Sequence, residues 1–212
     1  MAVGSIPRDS GNIPLGCGGS PGDTTPQQLQ GGTEYTDANN NITVPLLTAL
    51  SGDTWKATYS ASYKALAGVA GDLFTLTGSS SKIIKLVRLE ISGIATTAAS
   101  PDVSLEKRST ADSGGTAVTA ATIAPHDSTQ GAATATVAAY SAAPTQGTSV
   151  GILKASKLTC PLAGAVGASV VWDFTNSGKA PVLRVATQQF AIVLSAAPTG
   201  GSINISCEWT EE

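Results

Sequence analysis

From residue 51 onward, apolar and polar residues alternate with a period of two. In the stretch Trp55 to Lys64, Trp55, Ala57, Tyr59, Ala61 and Tyr63 fall on one side. Lys56, Thr58, Ser60, Ser62 and Lys64 fall on the other. Successive side chains of an extended chain point to opposite faces, so the pattern predicts a strand with one aromatic face. The same rule sets Val87, Leu89 and Ile91 against Arg88, Glu90 and Ser92. It places Val170, Trp172 and Phe174 opposite Asp173, aligns Phe190, Ile192 and Leu194, and groups Ile203, Ile205, Cys207 and Trp209. Further strands are predicted over 72–77, 102–108, 116–124, 133–140, 150–160 and 181–186. Clusters such as TGSSS, TADSGG, TNSGKAP and APTGG separate these runs. No window carries a long amphipathic helix. About ten short strands so spaced predict an all-β body, an antiparallel β-sandwich or jelly roll over 51–212.

Residues 1–50 read differently. They are rich in Gly, Pro, Asn and Thr, with isolated apolar residues and no period of 2 or 3.6. A segment of this kind buries too little apolar surface to form its own core. It is either disordered or an extended N-terminal arm that orders against another surface, and the arm is the expectation carried forward. At about 3.3 Å per residue such an arm spans on the order of 150 Å. The run VPLLTAL (44–50) is the expected point at which it docks on the body. Two similar loops, SAAPTQG (141–147) and SAAPTGG (195–201), each follow a predicted strand. Their flanking strands differ, so they read as shared turn chemistry rather than a duplication.

Composition sharpens this. Of 212 residues, 42% are hydrophobic, enough for a sizeable core, but only 13% are charged, about half the usual share. Ala, Ser, Thr and Gly fill the difference. Such a surface loses few ionic hydration shells when another surface covers it, which suits a protein packed against neighbours. A net charge of −3, with scattered Lys and Arg, argues against a nucleic-acid partner. No apolar run approaches membrane-spanning length, so no membrane partner is expected. The first residues lack the basic and apolar regions of a signal peptide, which predicts synthesis in a cytoplasm without export.

The three cysteines show no CxxC or Cys/His spacing, so no metal or other cofactor is expected. Cys207 and Cys160 read as structural residues. Cys17, in LGCGGS, is either an idle thiol or an intermolecular cross-link.

A search for catalytic chemistry returns no candidate residue. The single histidine, His126, stands beside Asp127 and Ser128, but neighbours on an extended chain diverge, so a turn-capping role is expected over a triad. No nucleophile elbow or phosphate loop is present. Asp53, Asp72, Asp102, Asp112 and Asp127 fall in predicted turns and are expected to make local hydrogen bonds there. Paired carboxylates of a glycosidase and a calcium loop both lack their spacing. The chain is therefore expected not to be an enzyme. The sequons at Asn41 and Asn204 read as chance matches. Trp55, Tyr59 and Tyr63 pose the remaining choice: a ladder for stacking on a polysaccharide, an interface, or core. Aromatics are only 5% of the chain, and a sandwich of this size needs most of them inside, so core is expected.

Two segments, 86–140 and 181–212, resemble virion structural proteins of tailed bacteriophages. Lys107 to Thr110, Gly114 to Thr116, Pro125 to Ser128 and Trp209 to Glu212 carry the likeness. It implies a β-rich particle component, foremost a capsid decoration or cement protein. The implied partners are the major capsid protein or other virion proteins and further copies of the chain, as a homo-oligomer with a trimer as the guess; the implied location is the virion. Alternatives are a tail, baseplate or fibre-attachment protein, a carbohydrate-binding module contacting the host surface and, last, a general hydrolase.

Overall fold

The computed structural model describes residues 56–165, 167–175 and 180–212 in full, and residues 31–36 and 43–48 for their backbone. The chain divides into two units, Met1–Trp55 and Lys56–Glu212. In the first unit, β1 (Gly31–Thr36) pairs antiparallel with β2 (Thr43–Thr48). The arm expected to be extended over 1–50 thus contains a hairpin. Ladder hydrogen bonds join backbone groups, so pairing needs no alternating side chains, and the aperiodic sequence concealed it.

The second unit holds two antiparallel sheets. In the first, β11 (Val170–Asp173), β5 (Ile84–Ile94), β14 (Ser202–Glu211), β3 (Ala57–Ala67) and β8 (Ile123–Pro125) lie side by side, and β12 (Val182–Leu183) also pairs with β5. The second runs β10 (Ser149–Lys157), β6 (Asp102–Arg108), β13 (Gln189–Leu194), β4 (Gly71–Thr77), β9 (Thr136–Ala142) and β7 (Thr116–Ala117).

Set aside the short strands and β9, and eight remain: β3, β4, β5, β6, β10, β11, β13 and β14. The first pairs with the last, the second with the seventh, the third with the sixth and the fourth with the fifth. That is one long hairpin wrapped around itself, the jelly-roll order. The expected all-β fold is the observed one.

The core lies between the sheets. Tyr59, Ala61, Tyr63, Leu89, Ile91, Ile203, Ile205, Cys207 and Trp209 enter from the first sheet. Leu73, Phe74, Leu76, Val103, Leu105, Phe190, Ile192 and Leu194 enter from the second. Tyr59 stacks on Trp209, and Tyr63 meets Phe74 edge-on at 5.9 Å. The aromatic stripe of β3 is therefore core at Tyr59 and Tyr63; Trp55 and Asp53 lie outside the described residues. Two buried tyrosines offer no stacking ladder to a sugar.

Bulges correct the sequence reading in two places. In β5 the partner of Trp209 is Leu86 and that of Glu208 is Arg88, so Val87 is an extra residue. The bulge reverses the alternation there: Leu86 is buried, and Val87, expected in the core, is only partly covered. In β4 a shift between Ile192 and Val193 lets the neighbours Leu73 and Phe74 both enter the core and turns Asp72 to the outer face. The single strand expected over 116–124 is instead two short ones in different sheets, β7 and β8. The Ala/Thr composition of that stretch is not apolar enough to fill one buried face, and it crosses the flank of the sandwich instead.

β7, β8 and β9 form an insertion between β6 and β10. It is fastened to the body at several points. The Glu211 carboxylate accepts from Thr134 N at 3.0 Å, Thr134 Oγ1 at 2.7 Å and Ala135 N at 2.9 Å. The Tyr59 hydroxyl donates to Gly131 O at 2.9 Å, and His126 N donates to Thr58 O at 2.8 Å.

Candidate functional site

Two features of the second unit stand out from an ordinary sandwich: a buried ion cluster beneath the insertion and an open apolar edge at β10 and β11.

Along β13, Phe190, Ile192 and Leu194 face the core, so Gln189, Ala191 and Val193 face outward; along β6, Glu106 and Arg108 do the same. An outward sheet face normally meets water. Here Ala191 and Arg108 are fully buried, because the segments 109–117 and 142–148 cross over them. Those segments are tied together by Ser113 and Thr145, whose backbones exchange hydrogen bonds, and by Ser109 N donating to Thr148 O.

Arg108 holds the cover down. Its Nη2 lies 2.8 Å from Asp72 Oδ1 and its Nη1 lies 2.8 Å from Asp112 Oδ1, with all three side chains at 0% exposure. Glu106 Oε2 reaches Nη2 at a looser 3.4 Å. Gln146 Nε2 donates to Asp72 Oδ1 at 2.9 Å. Gly147 N donates to Asp112 Oδ1, and Asp112 N donates to Gln189 Oε1. Gln189 in turn donates to Thr77 Oγ1. Asp72 and Asp112, expected to make local turn contacts, thus converge from positions 36 and 4 residues away on one guanidinium. Burial, a hydrogen-bonded Asp112 carboxyl and its charge push the Asp72 carboxyl up to about 7, against the opposing pull of Arg108 and Gln146.

The other sequence candidates separate. Asp127 caps its own turn as expected, accepting from Thr129 N and Thr129 Oγ1, which hold its carboxyl below the usual range. Asp102 instead meets Lys157 across the β6–β10 pair at 2.6 Å. His126, expected to cap a turn, instead faces Glu208 Oε1 of β14 through Nδ1 at 3.6 Å, while the Asp127 carboxylate is engaged with Thr129. Asn204 Oδ1 accepts from Ala65 N at 2.9 Å and braces a bulge in β3, where Ala65 adopts φ 54°. Cys160 and Cys207 are buried free thiols, and burial pushes both thiols up, which makes them inert packing groups. Cys17 and Asn41 lie outside the described residues. Among the described residues no three His, Cys, Asp or Glu side chains come together as a metal site. The similar loops 141–147 and 195–201 each bury their proline, Pro144 and Pro198.

The two flanks of the sandwich differ. On one, the edges are the short β7 and β8, a common way to blunt a sheet edge. On the other, β10 ends the second sheet with nine residues, and β11 ends the first. Val150 and Ile152 are 62% and 61% exposed. Leu153 on the same strand, Leu162 beyond it, Val171 on β11 and Ile94 at the end of β5 are exposed too. Ala95 bridges to Leu162, which brings Ile94 beside this edge. All but Val185 of the large hydrophobics exposed among the described residues therefore gather along one flank. Scattered exposed hydrophobics are ordinary; a row on an open edge is a candidate contact surface. Composition points to a surface suited to contact but does not locate this edge, because the pattern of β10 resembles that of the other strands.

Compared with models of known families, with curated proteins and with solved structures, the chain matches none. The likeness to phage particle proteins rests on the sequence motifs alone.

Proposed function

We propose that this protein is a structural component of a tailed-bacteriophage virion, a capsid decoration or cement protein that stabilises the head by clamping neighbouring capsid subunits. The row of exposed apolar side chains along β10 and β11 carries the reading. A strand edge with unpaired backbone groups and apolar side chains is a surface that another β-rich subunit can cover. The jelly-roll body, the low charge and a separate N-terminal unit support it. In this reading the body docks through its open flank, the N-terminal unit grips an adjacent subunit, and copies associate as a homo-oligomer, with a trimer as the working model. Each contact is modest, and repetition by particle symmetry multiplies it.

Quantitative mass spectrometry of purified particles tests the assignment. A copy number comparable to that of the major capsid protein supports it. A few copies per particle, located at the tail, would move the protein to the tail or baseplate, and absence from particles would end the virion reading.

A further inference from the structure

The cluster under the insertion has an electrostatic deficit. Arg108 supplies one positive charge to the two fully buried carboxyls Asp72 and Asp112, and Glu106 adds a third acid at its rim. Each aspartate spends Oδ1 on Arg108 and a second donor. Each keeps an Oδ2 that no donor reaches, although both are sealed from water. The two carboxyls flank one guanidinium, each Oδ1 2.8 Å from one of its two Nη atoms, which sets the aspartates side by side. Two carboxylates cannot bond to each other; a carboxylic acid and a carboxylate can, and the proton between them also removes the surplus charge.

From this geometry we propose that Asp72 and Asp112 share one proton between their Oδ2 atoms, and that this proton latches the 109–117 and 142–148 segments onto the sheet. Asp72 belongs to the sheet through β4, whereas Asp112 belongs to the cover, so the bond crosses the boundary that opens. Among the described residues, the other unpartnered buried donor of the cluster is Arg108 Nε, on the side chain that already engages both Oδ1 atoms. From β6 the facing charges are Glu106 and Arg108; from β13 only the neutral Gln189 faces the cluster. From β9 Tyr140 is engaged with Thr75 at 3.4 Å, and from the cover Gln146 already donates to Asp72 Oδ1. Loss of the proton leaves two buried carboxylates on one guanidinium, and the relief is to admit water by lifting the cover. The raised titration of Asp72 to about 7 puts this change near neutrality. The latch is independent of the virion assignment.

Hydrogen exchange of the full chain, corrected for the intrinsic pH dependence of exchange, tests the latch. Amides of 109–117 and 142–148 are expected to lose at least about tenfold in protection between about pH 5.5 and about pH 8.5, while the β3–β14 amides hold theirs. In Asp72→Asn the amide mimics the acid, accepting from Arg108 through its oxygen and donating to Asp112 through its nitrogen. That variant is expected to keep the cover protected at the higher pH and to flatten the profile. A flat profile in the unaltered protein, or an unchanged slope in Asp72→Asn, overturns the proposal. If Asp72→Asn does not fold, infrared spectra of the unaltered protein decide. A carboxylic-acid carbonyl band present at about pH 5.5 and gone at about pH 8.5 supports the shared proton, and its absence at the lower pH overturns it.

Discussion

Tyr59 and Trp209 stack across the β3–β14 pair with ring centroids 6.0 Å apart and planes inclined by 26°. The Trp209 indole also donates to Glu211 at 3.2 Å, and Tyr59 reaches Gly131 in the insertion. This pair therefore joins the centre of the core to the base of the insertion. Trp209→Ala is expected to destabilise the fold by about 3–5 kcal/mol, since the ring is fully buried and its neighbours cannot close the space. Tyr59→Phe, which removes only the bond to Gly131, is expected to cost about 1 kcal/mol. Denaturant unfolding followed by tryptophan-independent circular dichroism measures both.

Arg108→Met leaves Asp72 and Asp112 buried with no counter-charge and is expected to destabilise by about 3–5 kcal/mol at neutral pH. The loss should shrink in acid, where Asp72 takes up a proton. Thermal melts at several pH values will show whether it does.

Asp72 is held protonated more tightly in the folded chain than in the unfolded one. Between its ordinary value of 3.8 and its folded value of about 7, the folded state carries the extra proton. Its contribution therefore falls as pH rises through that window and is flat above it. Glu211 behaves in the opposite sense. Burial would raise its carboxyl, but the donors Ala135 N, Thr134 Oγ1, Thr134 N and Trp209 Nε1 outweigh burial and bring it below the ordinary value of 4.5. Its contribution is present above that value and is lost as pH falls through the lower, folded value. Glu211→Gln is expected to cost about 1–3 kcal/mol near neutrality. The gap from the unaltered protein should close in acid, as read by melting temperature against pH.

Ile152→Asp places a charge on the open edge at a side chain 61% exposed. Stability of the isolated chain is expected to change by no more than about 0.5 kcal/mol. Incorporation into particles, measured by competition with the unaltered protein during assembly, is expected to fall several-fold. An equal incorporation would remove β10 from the contact surface.

A chain beginning at Lys56 is expected to unfold cooperatively, because the second unit contains its own core. On the proposed virion role, the same chain is expected to bind particles more weakly than the full one. Co-sedimentation with particles lacking the protein measures the difference.

Most strands were legible because one face of each is core and the other is not. Phe190, Ile192 and Leu194, or Ile203 through Trp209, leave no doubt about which residues point inward. Legibility failed where the backbone breaks its own rhythm. Nothing in KLVRLEI marks Val87 as the extra residue of a bulge, and no pattern announces the left-handed Ala65 that Asn204 supports. The ion cluster was hidden for another reason. Asp72 and Arg108 meet because β13 pairs with both β4 and β6, and pairing across such a distance is a property of topology, not of local composition. The hairpin at 31–48 was missed because backbone pairing left no trace in the side-chain pattern.

The last strand, β14, sits in the interior of its sheet, between β5 and β3. Four core residues, Ile203, Ile205, Cys207 and Trp209, arrive on it. The β11–β5 and β3–β8 halves of that sheet cannot seal until β14 slides between them. Closure therefore waits on partners far apart in sequence, which slows folding. A chain truncated within β14 would present its unzipped interior to every similar chain nearby.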